Sequence, residues 1–294
     1  TETIANFEVL LEVLGRVSSP EEIEKSVVVT TDEGSALWEI GVRERFTILA
    51  VPKQVGGRFS VFSVVGLFPL ALCGVDIDEL CAGAGSMVDA CTQDDLFANP
   101  AALRAAILYE HYIHGINIHD TFVFSVDLES VGKWYRQLMG ESIGKAQNTQ
   151  GQEVHVGITP TVSVGSTDLH SVGQLYLGGP YDKLTTFVGV DQFCTSITIP
   201  RIPVYESLVP NIQGRKFTDI MAAIFDGVQS AYIKGKHPFV SLRLPEKSPW
   251  HIGQLLQMHM FEIIYLAYLL DIDPFDQPQV ELYKKETREI LAHG

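Results

Sequence analysis

The sequence predicts an α/β protein with parallel sheets, organised in two units. Near the amino terminus, residues 26–31 and 46–51 are β-branched or apolar runs typical of buried parallel strands, with a helical stretch between them. The same alternation of strands and helices returns after residue 121. The chain has 294 residues, of which 46% are hydrophobic, so it has enough apolar material for one large domain or two modest ones.

The first unit is predicted from the start of the chain to about residue 58. Its first apolar residues fall at helical spacing, and they are Ile4, Phe7, Leu10, Leu11 and Leu14. A polar connector at 21–25 leads into the first strand. A helix at 35–45 and the second strand complete a strand–helix–strand pattern.

The second unit is predicted to begin with helices at 61–72, 77–91 and 99–112. The last of these opens with Asn99-Pro100, a capping residue followed by a proline at the first helical position. Four strand–helix pairs follow: 121–125 with 128–139, 156–164 with 167–176, 184–190 with 216–233, and 238–244 with 249–270. A terminal helix is predicted at 278–292. We therefore expect domains at 1–58 and 59–275, then a helical segment at 276–294.

Charge and composition exclude several classes of function. The net charge of −15 and the pI near 4.9 argue against nucleic acid as a partner, because its phosphates would be repelled. The longest apolar run, 61–73, contains Pro69 and is shorter than the roughly 20 residues of a membrane helix, and no signal peptide is expected. The cysteines show no paired spacing and are expected to be reduced, mostly buried thiols of a cytosolic protein; they are Cys73, Cys81, Cys91 and Cys194.

Two glutamates are candidates for a general base, because 129–133 nearly duplicates 141–145. Glu129 lies in the first turn of a predicted helix, where an acidic residue is explained by the helix dipole alone. Glu141 lies where that helix is expected to end before a polar loop at 146–151, and catalytic groups favour such junctions. Spacing alone leaves open whether Glu141 is functional or simply an acid at a helix end.

A proton shuttle and cations are also present. His170 follows Ser166-Thr167-Asp168, which predicts a helix start and an imidazole kept neutral in its first turn, although in isolation a capped surface histidine explains it better. Arg58 follows two glycines that allow close approach of a ligand, or that form an ordinary turn. Lys284 lies on the amphipathic terminal helix, and Gln277 marks its start.

A metal site is not expected from the histidines. His111 and His114 are three residues apart and would share a helix face, with His119 close behind. No acidic pattern of the HExxH type accompanies them, so packing at a helix end explains them better. The sequence therefore predicts no metal.

Taken in order, four strings resemble the phosphoglucose isomerase (glucose-6-phosphate isomerase) family over nearly the whole chain. They are VGGRFSVFSVVGLFPLALCGVDI, WYRQLMGESIGK, STDLHSVGQLY and FDQPQVELYKK. The tryptophan-led string contains Glu141 and not Glu129, so the resemblance favours Glu141. It implies an enzyme that interconverts glucose 6-phosphate and fructose 6-phosphate, in glycolysis and gluconeogenesis.

The resemblance also implies a role for each matching residue. Glu141 corresponds to the base that moves a proton between C1 and C2 through a cis-enediol, and Arg58, next to Gly57, to the cation that stabilises the enediolate. His170 corresponds to the ring-opening residue, which in the family reaches across from the neighbouring subunit. Lys284 corresponds to a lysine near the ring oxygen, and Gln277 to a glutamine near the phosphate.

The implied fold is an αβα sandwich with a parallel sheet, of the flavodoxin-like sugar-isomerase (SIS) type, with the second domain complete and the first partial. Members of the family are cytoplasmic homodimers that need no cofactor. Thr1 aligns just after the Ser/Thr-rich loop that grips phosphate in the family, so we expect low activity from this chain by itself. Tyr283 and Gln279 replace family glycines. These departures leave open a second hypothesis, a non-catalytic sugar-phosphate-binding protein. The breadth of substrate, including mannose 6-phosphate, is also open.

Overall fold

The structure, a computed structural model that describes residues 2–293, divides into two compact units, one ending at Ile77 and one beginning at Asp78. The first unit contains four helices, two strands and a 3₁₀ turn. Its elements are α1 (Glu2–Gly15), α2 (Pro20–Ser26), β1 (Val28–Asp32), α3 (Ala36–Arg43), β2 (Thr47–Val51), the 3₁₀ helix Gly57–Phe62 and α4 (Val64–Leu72).

The predicted strand–helix–strand pattern of the first unit is confirmed. Strands β1 and β2 pair in parallel, with Val28 opposite Thr47 and Asp32 opposite Val51. Helix α3 connects them and packs on both strands, as a crossover between parallel strands must.

The polar connector expected at 21–25 is wrong, because these residues belong to α2. The Ser19 side chain accepts from the Glu22 backbone N–H, and the Glu22 carboxylate accepts from the Ser19 N–H at 2.8 Å, which forms a capping box. Pro20 occupies the first helical position, where its missing N–H costs nothing. Local capping therefore makes a helix of a charged segment that has no buried residue.

The first unit is longer than the segment 1–58 expected from the sequence. The 3₁₀ helix after β2 leads into α4, and α4 packs against both that turn and β2. The division at residue 58 stays a prediction.

The second unit contains a four-stranded sheet, a β-hairpin and seven helices among its described residues. In chain order the elements are α5 (Ile77–Cys91), α6 (Pro100–Ile113), β3 (Ile118–Val123), α7 (Glu129–Ile143), β4 (Lys145–Gln147), β5 (Glu153–Val156), β6 (Thr159–Val164), α8 (Gly173–Gly178), β7 (Lys183–Val190), α9 (Phe217–Gly235), β8 (Phe239–Leu244), α10 (Pro249–Leu269) and α11 (Pro278–His293).

The sheet of the second unit is parallel and has the order β6-β3-β7-β8, which is the flavodoxin-like order. Alternate residues of β3 point to opposite faces. Phe122 packs with α8 and α9, and Val123 packs with α6 and α10. Helices cover both faces, and the αβα architecture expected from the sequence is confirmed.

Three local predictions in the second unit are wrong. The strand expected at 156–164 is two strands, because the chain turns at Gly157. A Cβ on Gly157 would lie 3.2 Å from Gly144 Cα, so the two backbones pass close to each other. The polar loop expected at 146–151 is a β-hairpin of β4 and β5, whose turn is held by Asn148 and Thr149 hydrogen bonds to the Asp271 carboxylate. The helix expected at 167–176 is a short 3₁₀ turn, Thr167–Leu169, followed by α8.

The prediction of mostly buried thiols is also wrong. Cys73, Cys81 and Cys194 are exposed and Cys91 is buried, and none of the four forms a disulfide. Burial raises the pKa of the Cys91 thiol to about 11. Among residues 2–293, no helix is both long enough and apolar enough to cross a bilayer.

Candidate functional site

Glu141 lies in the last turn of α7, a helix anchored along most of its length in the second unit. The residue is half-buried, and its carboxylate accepts an exposed hydrogen bond from Gln137 Nε2 at 3.1 Å. The preceding duplicate, Glu129, begins the same helix and pairs with Lys133 at 2.7 Å on an open surface. The two glutamates therefore have different surroundings despite nearly identical local sequence.

Helix α7 runs back along the sheet, so its end lies at the amino edge of the strands. A Cβ on Gly132 would fall 3.7 Å from Val123 Cγ1, at the last residue of β3, whereas a Cβ on Gly140 would fall 3.7 Å from Pro160 Cγ, at the second residue of β6. A Cβ on Gly132 would also fall 2.9 Å from Val162 Cγ1, so the close passage favours a small residue there, whereas the contact at Gly140 would be an ordinary one. Glu141 consequently lies where the parallel strands begin.

Lys145 joins this end of α7 to the chain before the terminal helix. Its side chain is only 5% exposed, and Nζ donates to the Glu141 backbone oxygen at 3.1 Å and to the Asp276 backbone oxygen at 2.5 Å. Asp276 Oδ1 is 2.8 Å away as well. Sequence reasoning missed Lys145, although a lysine just after a helix end is a recognisable signal.

Gln277 follows Asp276 directly and is therefore held near the same edge as Glu141. Lys284 is about two turns into α11. It donates to Glu281 Oε1 at 2.8 Å, and that hydrogen bond raises the pKa of the Lys284 ammonium. Tyr283 is 59% exposed.

His170 lies at the other edge of the sheet, and the prediction that it occupies the first turn of a helix is wrong. It follows the 3₁₀ turn after β6, and Asp168 holds that turn by accepting from the Val164 N–H at 2.7 Å and from Ser171 Oγ at 2.9 Å. The ring is exposed. The length of β6, on the order of 16 Å, separates it from Glu141.

Arg58 and Gly57 belong to the first unit, where they open the 3₁₀ helix after β2. Arg58 is 3% exposed, and its Cζ lies 5.5 Å from the centre of the Phe59 ring. A Cβ on Gly57 would meet no atom within 4 Å, and its neighbour Gly56 has an extended backbone. Neither glycine is required by packing or strain, so the space beside this backbone is open to a ligand.

A buried ionic cluster lies beneath α7, and we call Glu262, Arg104, Tyr135 and His259 the Glu262 network. Arg104 Nε and Nη2 donate to the Glu262 carboxylate at 2.8 and 3.1 Å. Tyr135 OH and His259 Nδ1 contact the same carboxylate at 2.8 and 2.9 Å. Sequence reasoning missed it, although a single acid inside the apolar stretch of α10 is a usable signal.

Electrostatics fix the charge state of this network. Burial by itself would raise the pKa of Glu262, but the Arg104 charge and the hydrogen bonds from His259 and Arg104 outweigh it and hold the pKa well below its usual range. Burial lowers the pKa of His259, and burial together with the Arg104 charge lowers the pKa of His119 to about 3. The network therefore holds one ion pair, Arg104 with Glu262, and the imidazoles of His259 within it and of His119 beside it are neutral. It fixes α7 through Tyr135.

Two clefts lie at opposite edges of the second unit. One, of about 100 Å³, is lined by residues near Glu141 and includes Lys145, Asn148, Asp273, Asp276 and Gln279. The other, of about 180 Å³, lies at the carboxyl ends of β7 and β8 and contains none of the predicted site residues. Its arginine, Arg243, pairs with Asp191 and Asp226. The smaller, polar cleft is lined by Lys145, whose ammonium contacts the Glu141 backbone oxygen, but not by Glu141 itself.

No group of three or more His, Cys, Asp or Glu side chains within residues 2–293 has the arrangement of a metal site. His111 and His114 lie at the end of α6, and His119 is buried in β3 with its Nε2 2.8 Å from Thr186 Oγ1. The three histidines are thus divided between a helix end and the core.

The family model described as phosphoglucose isomerase matches residues 1–190. The chain belongs to the phosphoglucose isomerase family. A glucose-6-phosphate isomerase from Carboxydothermus hydrogenoformans is 36% identical over 292 residues, which cover 99% of this chain and 63% of that protein. The glucose-6-phosphate isomerase of Thermus thermophilus is 34% identical, over 99% of this chain and 68% of that protein.

Solved structures share the fold of this chain. A hypothetical protein from Thermus thermophilus superposes with a TM-score of 0.93 at 33% identity, over 99% of this chain and 69% of that one. A glucose-6-phosphate isomerase from Chlamydia trachomatis shares the fold with a TM-score of 0.85 at 21% identity, over 98% of this chain and 56% of that one. The chain spans a little under two thirds of the length of several of the isomerases it matches.

Proposed function

We propose that this chain forms the greater part of a glucose-6-phosphate isomerase, which interconverts glucose 6-phosphate and fructose 6-phosphate through a cis-enediol. Membership in the family and the names of the relatives support the reaction. The geometric observation that carries it is the contact of Lys145 with the backbone oxygens of both Glu141 and Asp276, because it joins the end of α7 to the segment before Gln277, beside a polar cleft that Lys145 and Asp276 line.

In the proposed reaction, the Glu141 carboxylate takes a proton from C2 of the open-chain aldose to give the enediolate, the hydroxyl proton passes from O2 to O1, and Glu141 returns its proton to C1, which yields the ketose. One carboxylate suffices because it is both acceptor and donor. Arg58 stabilises the negative oxygen of the enediolate, beside the open space at Gly57. Lys284 lies near the ring oxygen and Gln277 near the phosphate. No step requires a metal or an organic cofactor.

We further propose a homodimer in which His170 opens the sugar ring in the site of the other subunit. The support is the separation of His170 and Glu141 by the length of β6, which one histidine side chain does not bridge. In a two-fold symmetric dimer, the carboxyl edge of each sheet would meet the amino edge of the other, which would form two equivalent sites. The exposed His170 ring and its rigid Asp168-held turn suit such a contact.

We infer a cytoplasmic location from the state of the cysteines. The four cysteines form no disulfide although three are exposed, as is usual in a reducing compartment. The domain division at 1–58, 59–275 and 276–294 is likewise a proposal. It assigns the first segment to the carboxyl-terminal part of one SIS domain and the second to a complete SIS domain.

The experiment is a coupled assay on the protein expressed from its complete reading frame, with fructose 6-phosphate formation measured for wild type, Glu141→Gln and the matched control Glu129→Gln. We expect loss of about 10³-fold or more in kcat for Glu141→Gln, because the amide accepts no proton, and a change within about two-fold for Glu129→Gln. Calorimetry with glucose 6-phosphate is measured alongside. Binding without turnover in the wild type would support the alternative, a non-catalytic sugar-phosphate-binding protein.

A further inference from the structure

Lys145 is a buried lysine whose ammonium is fully used by oxygens from two separate segments. The Nζ atom has three N–H donors. It meets three acceptors: the Glu141 backbone oxygen at 3.1 Å, the Asp276 backbone oxygen at 2.5 Å and Asp276 Oδ1 at 2.8 Å. Its side chain is only 5% exposed, whereas Asp276 is 52% exposed. Lys145 is therefore the buried and more constrained member of this pair, and the Asp276 carboxylate is the more exposed one.

The contact to Glu141 satisfies a carbonyl that the helix leaves open. Helix α7 ends at Ile143, and the last four carbonyls of a helix have no N–H partner within it. In a longer helix the Glu141 oxygen would accept from the backbone N–H of residue 145. Here the side chain of that same residue takes its place, and its charge also meets the negative end of the helix dipole.

The contact to Asp276 fixes the segment that precedes the terminal helix. Both the carbonyl and the carboxylate of Asp276 accept from the ammonium, so the backbone there is held at two points. Gln277 is the next residue, and α11 begins at Pro278. One ammonium thus determines the distance between the backbone of Glu141 and the start of the Gln277 segment.

We propose that Lys145 is a positioning residue, which aligns the Glu141 carboxylate with a substrate held by the Asp276–Gln277 segment. This inference rests on the proposed isomerase function. A misplacement of the order of 1 Å in a reacting group lowers the rate by up to about 100-fold, so the loss of this tether should appear mainly in kcat.

The test compares Lys145→Met with Lys133→Met, which alters a lysine of α7 that is 53% exposed and pairs with Glu129. In the protein from the complete reading frame we expect Lys145→Met to lower kcat by about 10- to 100-fold, with KM changed less than about three-fold. Lys133→Met should stay within about two-fold of wild type. Lys145→Arg, which keeps the charge but not the reach, should recover part of the loss.

Two further variants separate positioning from plain stability. In a Glu141→Gln background, Lys145→Met should cause no additional loss in residual rate, since no base is left to align. Asp276→Asn tests the same contact from a half-exposed side chain, in case Lys145→Met does not fold, and should lower kcat more than KM. The inference would be overturned by a wild-type kcat in folded Lys145→Met, or in folded Asp276→Asn when Lys145→Met does not fold. An additive loss in the Glu141→Gln background would overturn it as well. An inactive wild-type protein would instead overturn the proposed function.

Discussion

Glu141 and Lys284 are single residues whose partners set what each can do. The Glu141 carboxylate accepts from Gln137 and its backbone carbonyl accepts from Lys145, so side chain and backbone each have a partner. Lys284 donates to Glu281 on its own helix, and this hydrogen bond raises the pKa of an ammonium that is charged in the neutral range in any case. In the proposed site that ammonium is available as a fixed positive charge near the sugar ring.

Neutralising Lys284 should therefore lower turnover without affecting folding. We expect Lys284→Met to reduce kcat/KM by about 10- to 100-fold, because a charge near the reacting oxygens is lost. The matched control is Lys285→Met, whose lysine is 72% exposed and lies 3.8 Å from Glu289. The coupled assay measures both, and equal activities in the two variants would show that Lys284 lies outside the site.

At the level of residues, the sequence indicated the candidates but not their surroundings. Glu129 and Glu141 could be told apart only by resemblance, since their local strings are nearly the same. Lys145 was within the same string and went unnoticed, because its role depends on Asp276, which is 131 residues away. Contacts between distant segments carry no periodic signal along the chain.

Among the elements, α7 depends on the buried Glu262 network for its position. Tyr135 lies about 9 Å along the helix from Glu141 and donates to Glu262. The network is completed by Arg104 on α6 and His259 on α10, and removing one partner of a buried ion pair typically costs about 3–5 kcal/mol. The helix that carries the candidate base Glu141 is thus held by an anchor that lies outside the cleft.

Acid should weaken this part of the structure through its buried imidazoles. The pKa of His119 is about 3 in the folded chain against 6.5 ordinarily, because burial disfavours the charged ring. Between these values the unfolded chain binds a proton that the folded chain does not, so stability is lost as the pH falls. Each such histidine contributes a slope of roughly 1.4 kcal/mol per pH unit.

Urea unfolding at pH 7 and pH 5 measures this effect. His119→Gln should show a smaller fall in the free energy of unfolding between the two values than wild type. His114→Gln, whose imidazole is 67% exposed, is the control and should keep the wild-type difference. An identical pH dependence in His119→Gln and wild type would contradict the assignment.

The elements that sequence predicted well are those with strong local signals. The β-branched runs gave β1, β2, β7 and β8, and apolar spacing gave most helices. The polar helix α2 was missed because it buries nothing and depends on a capping box. The turn at His170 was misread because Asp168 bonds back to β6 and does not cap a helix.

For the whole molecule, the arrangement of the second unit bears on assembly. Glu141 lies at the amino edge of its sheet and His170 at the carboxyl edge, so the proposed site needs two copies to contain both. The parallel topology could be predicted from the alternation of strands and helices. The strand order β6-β3-β7-β8, which decides which strands lie side by side, could not be predicted from periodicity.

Complementation between two inactive variants tests the shared site. Glu141→Gln and His170→Ala should each have little activity when expressed separately. Co-expression should restore about a quarter of wild-type activity, because half of the dimers are mixed and each mixed dimer has one intact site of two. Two Glu141→Gln copies with different tags are the control and should remain inactive. If mixing the two variants restores nothing although mixed dimers form, His170 does not act across the interface.

Hydrogen exchange at C2 of glucose 6-phosphate tests the central claim most directly, since the claim is that the Glu141 carboxylate carries that hydrogen. The measurement follows the loss of the C2 proton signal by NMR in deuterium oxide, with the protein from the complete reading frame. Wild type and Glu129→Gln should exchange the position at similar rates, and Glu141→Gln should exchange it at least about 10³-fold more slowly. Exchange by Glu141→Gln at the wild-type rate would contradict the account.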